Sequence, residues 1–220
     1  MDGLSLALDA AVGEGTIAVI RDGALLAERR VTMRSEREER FLPAVIAALA
    51  DAGVEPAALT RIVCGAGPGS FTSLRVVGAA AKGFAQGLDR PLFAVPSLAL
   101  IVAADPRTAQ GGRWLATLDA MRGDRYLALV TVAGDGQLER VESLGLAPAG
   151  EVAARAEALV ASPIGPDAEL QAAPHARGLL RAGALTLAAG PVDLAAWEPV
   201  YGRLAEAQVK WEAAHGRLLL

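Results

Sequence analysis

The residues that could support catalysis in this chain are few and widely separated. Its two histidines, His175 and His215, lie forty positions apart, and neither has another histidine or a cysteine within four positions. Metal catalysis needs several such ligands at close spacing, so a metal site is not expected. The single cysteine, Cys64, lies in an apolar run, and no serine occupies a G-x-S-x-G motif. The usual arrangements of a nucleophile and its base are therefore not predicted.

One acidic residue, Asp9, could still take part in nucleotide binding. Asp9 ends the segment LSLALD, and an acid at the end of a strand can hold the magnesium ion of a nucleotide. The residues that follow, Ala10 and Ala11, lack the hydroxyls that help to grip phosphate, and capping of the next turn is an equally good role for Asp9. The polar residues between positions 119 and 125 are typical of a surface ion-pair network.

The stretch GAGPGSFTSLR resembles a phosphate-binding loop that leads into a helix. Gly67 and Gly69 allow a sharp turn and the close approach of a ligand, and Ser70 or Thr72 is placed to cap the helix. The stretch lacks the lysine of a Walker A loop and does not match G-x-G-x-x-G. Two interpretations stay open. Asp9, Gly67, Gly69 and Ser70 contact a phosphate, or the stretch is a plain strand-to-helix connection.

The elements that position these residues alternate between strand and helix patterns. Three N-terminal strands are predicted, with a hairpin turn at Arg21-Asp22-Gly23. A helix is predicted from Ser35 to Gly53, with Ser35 and Glu38 as a capping box. Its apolar stripe is Leu42, Val45, Ile46 and Leu49. The predicted strands are 4–9, 16–20, 24–31, 61–64, 91–95, 114–118, 125–132 and 138–144, and the further helices are 72–88, 97–104, 149–160 and 175–187. This order indicates two related α/β units, residues 1–104 and a smaller 105–220, with the last segment packing back on the first.

The predicted helix that follows the glycine-rich loop is apolar on nearly every side. Its strongly polar residues, Arg75, Lys82 and Gln86, share one narrow stripe. A smooth stripe of small residues is formed by Ala79, Gly83 and Gly87. Such a helix is either buried in the core or lies between its own sheet and a partner subunit, and we favour the second account.

The composition excludes several classes of protein. The 220 residues carry a formal net charge of −4, which argues against general binding of nucleic acid. Only 4% of the residues are aromatic, which disfavours a platform for stacking bases. No signal peptide opens the sequence, and no apolar run reaches the length of a membrane span. We therefore expect a cytoplasmic, soluble protein without a disulfide framework.

Five segments of the sequence are specific enough to suggest a family. They are LALDAAVGEGTIAVIRDG, RFLPAVIAAL, GAGPGSFTSLRVVGAAAKGFAQGL with PLFAVPSL, and DAMRGDRYLALV. Together they resemble the TsaB (YeaZ) family of bacterial tRNA threonylcarbamoyladenosine biosynthesis proteins. The resemblance covers residues 4–130 and resumes faintly at Trp197-Glu198-Pro199-Val200-Tyr201.

The resemblance implies an actin/sugar-kinase/Hsp70-like (ASKHA) fold of two α/β lobes, the second reduced. It also implies a non-catalytic subunit that binds and supports the catalytic subunit TsaD and helps to recruit the ATPase TsaE. That complex transfers a threonylcarbamoyl group to the adenosine next to the anticodon of tRNAs that read ANN codons. Contact with tRNA would come only through the complex. The chain itself would need no cofactor, with ATP or ADP at the subunit junction, and a homodimer in isolation stays open.

The resemblance further implies that the helix after GPGSFT and the helix before it pack against TsaD. The residues expected at this interface are Phe41, Val45, Thr72, Arg75, Val76, Ala79, Ala80, Gly83 and Gly87. The chain departs from the family pattern at Ala10, Arg37 and Ser73, which weakens a nucleotide site and favours a scaffold. The alternatives are a stand-alone kinase or ATPase of the same fold, or a peptidase.

Overall fold

Two five-stranded sheets with the same strand order form the framework of the protein. The computed structural model describes residues 2–33, 40–202 and 215. The first sheet contains β1 (Leu4–Asp9), β2 (Glu14–Arg21), β3 (Ala24–Thr32), β4 (Arg61–Gly65) and β5 (Leu92–Val95). Its strand order is β3-β2-β1-β4-β5. The first three strands are antiparallel, whereas β4 and β5 run parallel to β1.

The second sheet repeats this arrangement. It contains β6 (Gly112–Asp119), β7 (Asp124–Val132), β8 (Leu138–Pro148), β9 (Ser162–Gly165) and β10 (Leu170–Gln171). Its order is β8-β7-β6-β9-β10, again with three antiparallel strands followed by two parallel ones. The prediction of two related α/β units is confirmed, because the two sheets share one strand order.

The helices show which lobe is reduced. They are α1 (Phe41–Asp51), α2 (Phe71–Leu88), α3 (Ser97–Ala104), α4 (Val152–Ala158) and α5 (Leu179–Ala188). In the first lobe α1 joins β3 to β4, and α2 joins β4 to β5. In the second lobe α4 joins β8 to β9, but β9 passes to β10 without an α-helix. Within the described residues, no helix is long and apolar enough to cross a membrane.

The two sheets share a central core, and each has a further core on its outer side. α3 and α5 contribute Leu98, Ile101 and Leu179 to the central core. The first sheet contributes Val63 to it, and the second sheet contributes Val130. α1 and α2 cover the outer side of the first sheet, and α4 covers that of the second. Because β1 is covered on both faces, all six of its residues are buried rather than alternately exposed.

The described part of the first connecting helix is shorter than predicted and buries a different stripe. It begins at Phe41, and the expected capping box lies outside the described residues. Its buried residues are Phe41, Val45, Ala48 and Leu49. Leu42 and Ile46 were expected to face the core but are 47% and 50% exposed. The correction arises because this helix is apolar all round, so its sequence does not define the side that meets the sheet.

Residues 191–202, here called the strap, return from α5 to the first lobe. The strap begins beside the edge strand β5, where the Val192 N–H donates to the Leu92 carbonyl at 2.8 Å. It then follows α2, and a Cβ built on Gly78 would lie 3.1 Å from Cγ of Pro199. A second side of α2 is therefore covered by the chain itself.

Arg181 of α5 fastens the junction between α3 and the second lobe. Its guanidinium donates to the Asp105 carbonyl at 2.9 Å, to the Thr108 carbonyl at 3.0 Å and to Thr108 Oγ1 at 2.9 Å. It also donates to the Gly136 carbonyl at 2.5 Å. These acceptors include the backbone that follows the C-terminus of α3, where carbonyls lack helical partners. One side chain thus ties together three segments of the chain.

Arg181→Met is expected to lower the free energy of unfolding by at least about 2 kcal/mol, because the carbonyls lose charge-assisted hydrogen bonds. The change keeps much of the aliphatic length and removes the charge. Urea denaturation measures the loss. The matched control is Arg155→Met on α4, which removes an exposed ion pair with Glu151 and should cost less than about 0.5 kcal/mol. Equal effects of the two changes would contradict the role given to Arg181.

Candidate functional site

The carboxylate of Asp9 is enclosed by the chain's own groups. It is fully buried at the end of β1, and its Oδ1 accepts the Ala11 N–H at 3.1 Å. Its Oδ2 accepts the hydroxyl of Ser97 at 2.5 Å, and a Cβ on Gly65 would collide with the same oxygen. Burial raises the pKa of Asp9 to about 6, against the opposing effect of the hydrogen bonds from Ser97 and Ala11. Both oxygens of this carboxylate are therefore engaged within the protein.

The glycine-rich loop also packs against the chain's own backbone. A Cβ on Gly69 would collide with the carbonyl oxygen of Ala11, which accepts the Ser70 N–H at 2.7 Å. Gly67 has a φ of +84°, and a Cβ there would lie 2.5 Å from the carbonyl oxygen of Val200 in the strap. At these two positions glycine makes room for neighbouring backbone. These contacts account for the loop composition without a ligand.

The predicted capping of α2 by a side chain is wrong. Ser70 is the N-cap residue but makes no capping hydrogen bond with its side chain. Its Oγ lies 3.0 Å from Oγ of Ser73, the buried serine at one position where the chain departs from the family pattern. Thr72 lies within the first turn and is exposed. The hydroxyl pair replaces the expected cap because Ser73, one turn on, competes for Ser70.

One face of α2 is uncovered. The buried face contains Leu74, Val77, Ala81 and Ala85. Among the residues predicted for the interface, Thr72, Arg75, Ala79, Gly83 and Gly87 are exposed, whereas Val76 and Ala80 are half-buried. Apart from the chain neighbours and the backbone of α2 itself, no atom of the described residues lies within 4 Å of a Cβ built on Gly83 or Gly87. The account of α2 as a helix buried on all sides is therefore wrong for this face.

The residues predicted for the interface on α1 need a correction. Phe41 and Val45 are 2% and 0% exposed, since both point into the core between α1 and the first sheet. A partner cannot contact them while the helix keeps its place. The exposed apolar side chains of α1 are Leu42 and Ile46, which lie one helical turn apart. Because α1 and α2 lie on the same side of the sheet, these side chains and the open face of α2 belong to one side of the molecule.

His175 lies buried where the lobes meet, a position that the sequence did not reveal. Its Nδ1 accepts the Arg177 N–H at 3.1 Å, and its Nε2 lies 3.6 Å from a carboxylate oxygen of Glu28. The next N–H, of Ala176, donates to the Thr16 hydroxyl at 3.0 Å. Burial, followed by the charges of nearby arginines, lowers the pKa of His175 to about 4. The imidazole is therefore neutral at pH 7, and the hydrogen bond to the first lobe comes from the Ala176 N–H beside it.

The remaining candidate groups do not form a further reactive site. Cys64 is buried, and burial together with the charge of Asp9 raises the pKa of its thiol, which keeps it unreactive. Arg125 pairs with Asp119 at 2.7 Å and Asp167 at 3.5 Å, which confirms the predicted surface ion-pair network. Over the described ranges, no three His, Cys, Asp or Glu side chains are grouped as metal ligands would be.

Asp9→Asn is expected to stabilise the protein at pH 7 and to lose this advantage as the pH falls to 4. The folded-state pKa of Asp9, about 6, lies above its ordinary 3.8, so ionisation over this window favours the unfolded state. The free energy involved is about 3 kcal/mol. His175, with its lowered pKa, changes stability in the opposite direction, so the measurement is the difference between wild type and variant in urea denaturation. A difference that stays constant from pH 4 to 7 would contradict the burial of a charged Asp9.

Comparison with known proteins gives a consistent set of relatives. The family model described as "TsaD: tRNA N6-adenosine threonylcarbamoyltransferase" matches residues 32–176. The tRNA threonylcarbamoyladenosine biosynthesis protein TsaB of Bacillus subtilis is 35% identical over 136 residues. This match takes in 62% of the present chain and 58% of the relative, less than two thirds of its length.

Two solved structures from Pseudomonas aeruginosa match this chain over most of its length. One is of a protein described as similar to peptidase YEAZ, with a TM-score of 0.75 and 27% identity. It covers 92% of this chain and is itself covered completely. The other is YeaZ, with a TM-score of 0.73 and 26% identity over 91% of this chain and 100% of its own.

Proposed function

Since the chain belongs to the family described as TsaD, tRNA N6-adenosine threonylcarbamoyltransferase, and among its members to the TsaB/YeaZ proteins, we propose that it is a non-catalytic subunit in threonylcarbamoyladenosine biosynthesis. In this proposal it binds and supports TsaD, which modifies the adenosine next to the anticodon of ANN-decoding tRNAs. The pair recruits TsaE in the cytoplasm, and the chain meets tRNA only through the complex.

The observation that carries the proposal is the open face of α2. A helix surface made of Ala79, Gly83 and Gly87 lets a second helix approach closely, since no side chain holds the backbones apart. Nothing within the described ranges covers this stripe. The exposed Leu42 and Ile46 of α1 add apolar area on the same side. Apolar surface of this kind marks protein interfaces more often than it marks free surface.

The surroundings of Asp9 support a role without catalysis by this chain. A magnesium nucleotide needs carboxylate oxygens or bound waters that are open to the ion. Here one oxygen of Asp9 accepts a backbone N–H and the other accepts the Ser97 hydroxyl. The space beside Gly69 and Gly67 is in turn occupied by the carbonyls of Ala11 and Val200. We therefore propose that ATP or ADP, where the complex binds it, lies at the junction with TsaD.

Mixing the purified chain with TsaD of its own organism tests the proposal. Size-exclusion chromatography with light scattering should show a heterodimer, and the chain alone should show no ATP turnover above a buffer control. The same run on the chain alone reports whether it forms a homodimer. Robust ATP turnover without a partner, abolished by Asp9→Ala, would establish the alternative of a stand-alone kinase or ATPase.

A further inference from the structure

Two exposed apolar side chains lie near the start of α2, one on the helix and one on the strap. Phe71 is 39% exposed, and Val200 of the strap is 59% exposed. Tyr201 joins them, because its ring centroid lies 4.7 Å from that of Phe71 at an interplanar angle of 50°. Exposed apolar and aromatic side chains clustered on one part of a surface are typical of contact sites.

The strap is held firmly enough to be part of a preformed surface. The Val200 N–H donates to the Ala66 carbonyl at 2.7 Å, which fixes the strap to the loop after β4. The hydroxyl of Tyr126, on β7 of the second lobe, donates to the Tyr201 carbonyl at 3.2 Å. The strap is therefore tied to both lobes while its Val200 side chain points outward. A surface that is already ordered loses little entropy on binding.

The charge of this surface differs from that of the whole chain. The protein carries a net charge of −4, yet α2 contains Arg75 and Lys82 and no acidic residue. The guanidinium of Arg75 lies 5.2 Å from the centroid of the Phe71 ring, so a cation is stacked on the exposed aromatic face. In the part of the chain that the structure describes, Arg75 forms no salt bridge, unlike Arg29 and Arg125. The surface thus combines apolar area with an unpaired positive charge.

We propose that the docking surface for TsaD extends from α2 onto the strap, where Phe71, Arg75 and Val200 receive an apolar segment of TsaD that carries a carboxylate. This inference rests on the proposed function and adds the chemistry of the partner's segment. Apolar side chains of TsaD cover Phe71 and Val200, and an Asp or Glu pairs with Arg75. Aromatic residues and arginines of this kind dominate the affinity of many interfaces. The small stripe of α2 then sets how closely the helices approach, while the contacts with the strap fix the position of the TsaD segment along α2.

The test measures the affinity of TsaD for full-length variants by titration with fluorescently labelled TsaD. Val200→Asp places a negative charge beside the incoming carboxylate and should weaken binding about tenfold or more. Arg75→Glu should have an effect of at least this size, and Arg75→Lys a smaller one, since lysine keeps the charge. The matched control is Arg140→Glu on the edge strand β8, which changes the net charge equally on an exposed residue of the second sheet. Its affinity should equal that of the wild type.

The outcomes separate the two proposals. Failure of the wild type to bind TsaD overturns the proposed function, and this inference with it. Binding that Gly83→Leu blocks, but that Val200→Asp and Arg75→Glu leave unchanged, overturns the inference alone. An equal loss with Arg140→Glu also overturns it, because net charge would then explain the effect. Melting temperatures are measured for every variant, and if Val200→Asp unfolds, Val200→Ser replaces it with an expected loss of about threefold.

Discussion

Gly83→Leu is expected to weaken association with TsaD by about 100-fold or more while leaving the isolated chain at least as stable as the wild type. The leucine side chain would stand in the middle of the small stripe and prevent the close approach of a second helix. Apart from the chain neighbours and the backbone of α2 itself, no described atom lies within 4 Å of the new Cβ, so the fold has room for it. Leucine also favours a helix over glycine by about 1 kcal/mol. Pull-down and titration with TsaD measure the first effect, and urea denaturation measures the second.

Two matched variants define what this result means. Ala154→Leu adds similar bulk to an exposed position of α4, behind the second sheet, and should leave the affinity for TsaD unchanged. Gly78→Leu changes the same helix on its other side and should destabilise the chain, because a Cβ at this position would lie 3.1 Å from Cγ of Pro199 in the strap. Retained binding by Gly83→Leu would remove this face from the interface. A large loss of stability in that variant would restore the account of α2 as a fully buried helix.

Gly69→Ala is expected to lower the free energy of unfolding by about 3 kcal/mol, although it adds a single methyl group. The methyl would collide with the Ala11 carbonyl, a backbone atom that cannot rotate away, and would break its hydrogen bond with the Ser70 N–H. Chemical denaturation at pH 7 measures the loss. The control is Gly134→Ala, where no described atom lies within 4 Å of the added Cβ and the backbone does not need glycine.

This variant also decides what the glycine-rich loop is for. A loop that cradles phosphate would tolerate Gly69→Ala in the ligand-free protein and would lose nucleotide binding instead. A loop whose glycines receive the chain's own backbone loses stability first, with or without a nucleotide. Unchanged stability together with an abolished nucleotide affinity would therefore contradict the packing role. Titration of ATP and ADP into both proteins supplies the second measurement.

Much of the fold could be predicted because its signals are local. The hairpin turn at Arg21-Asp22-Gly23 contains two residues of positive φ, as the Asp-Gly pair suggests. The bounds of α3 were predicted to the residue, since Pro96 precedes the helix and Asp105-Pro106 follows it. Strands β9 and β10 were not predicted. The segment SPIG is too short to show a period, and it becomes a strand only through its pairing with β6.

The residues of the candidate site could likewise be predicted only where the signal is local. The small stripe of α2 was visible in the sequence, because the spacing of Ala79, Gly83 and Gly87 places them on one side of any helix. The side of α1 that meets the sheet was not visible, and the family resemblance placed Phe41 and Val45 at the interface although they are buried. An apolar helix carries no internal mark of which side is covered, and only the neighbouring elements decide it.

The sequence by itself determined the family, through specific motifs, and the order of strands and helices in the first lobe and the small stripe of α2, through local periodicity. Tertiary structure alone decided the use of the glycine-rich loop. A glycine in the sequence indicates only that some group approaches the backbone closely. The groups that do so here are the carbonyls of Ala11, near the N-terminus, and of Val200, in the strap. Contacts between residues so distant along the chain depend on how the whole chain folds, and no local pattern encodes them.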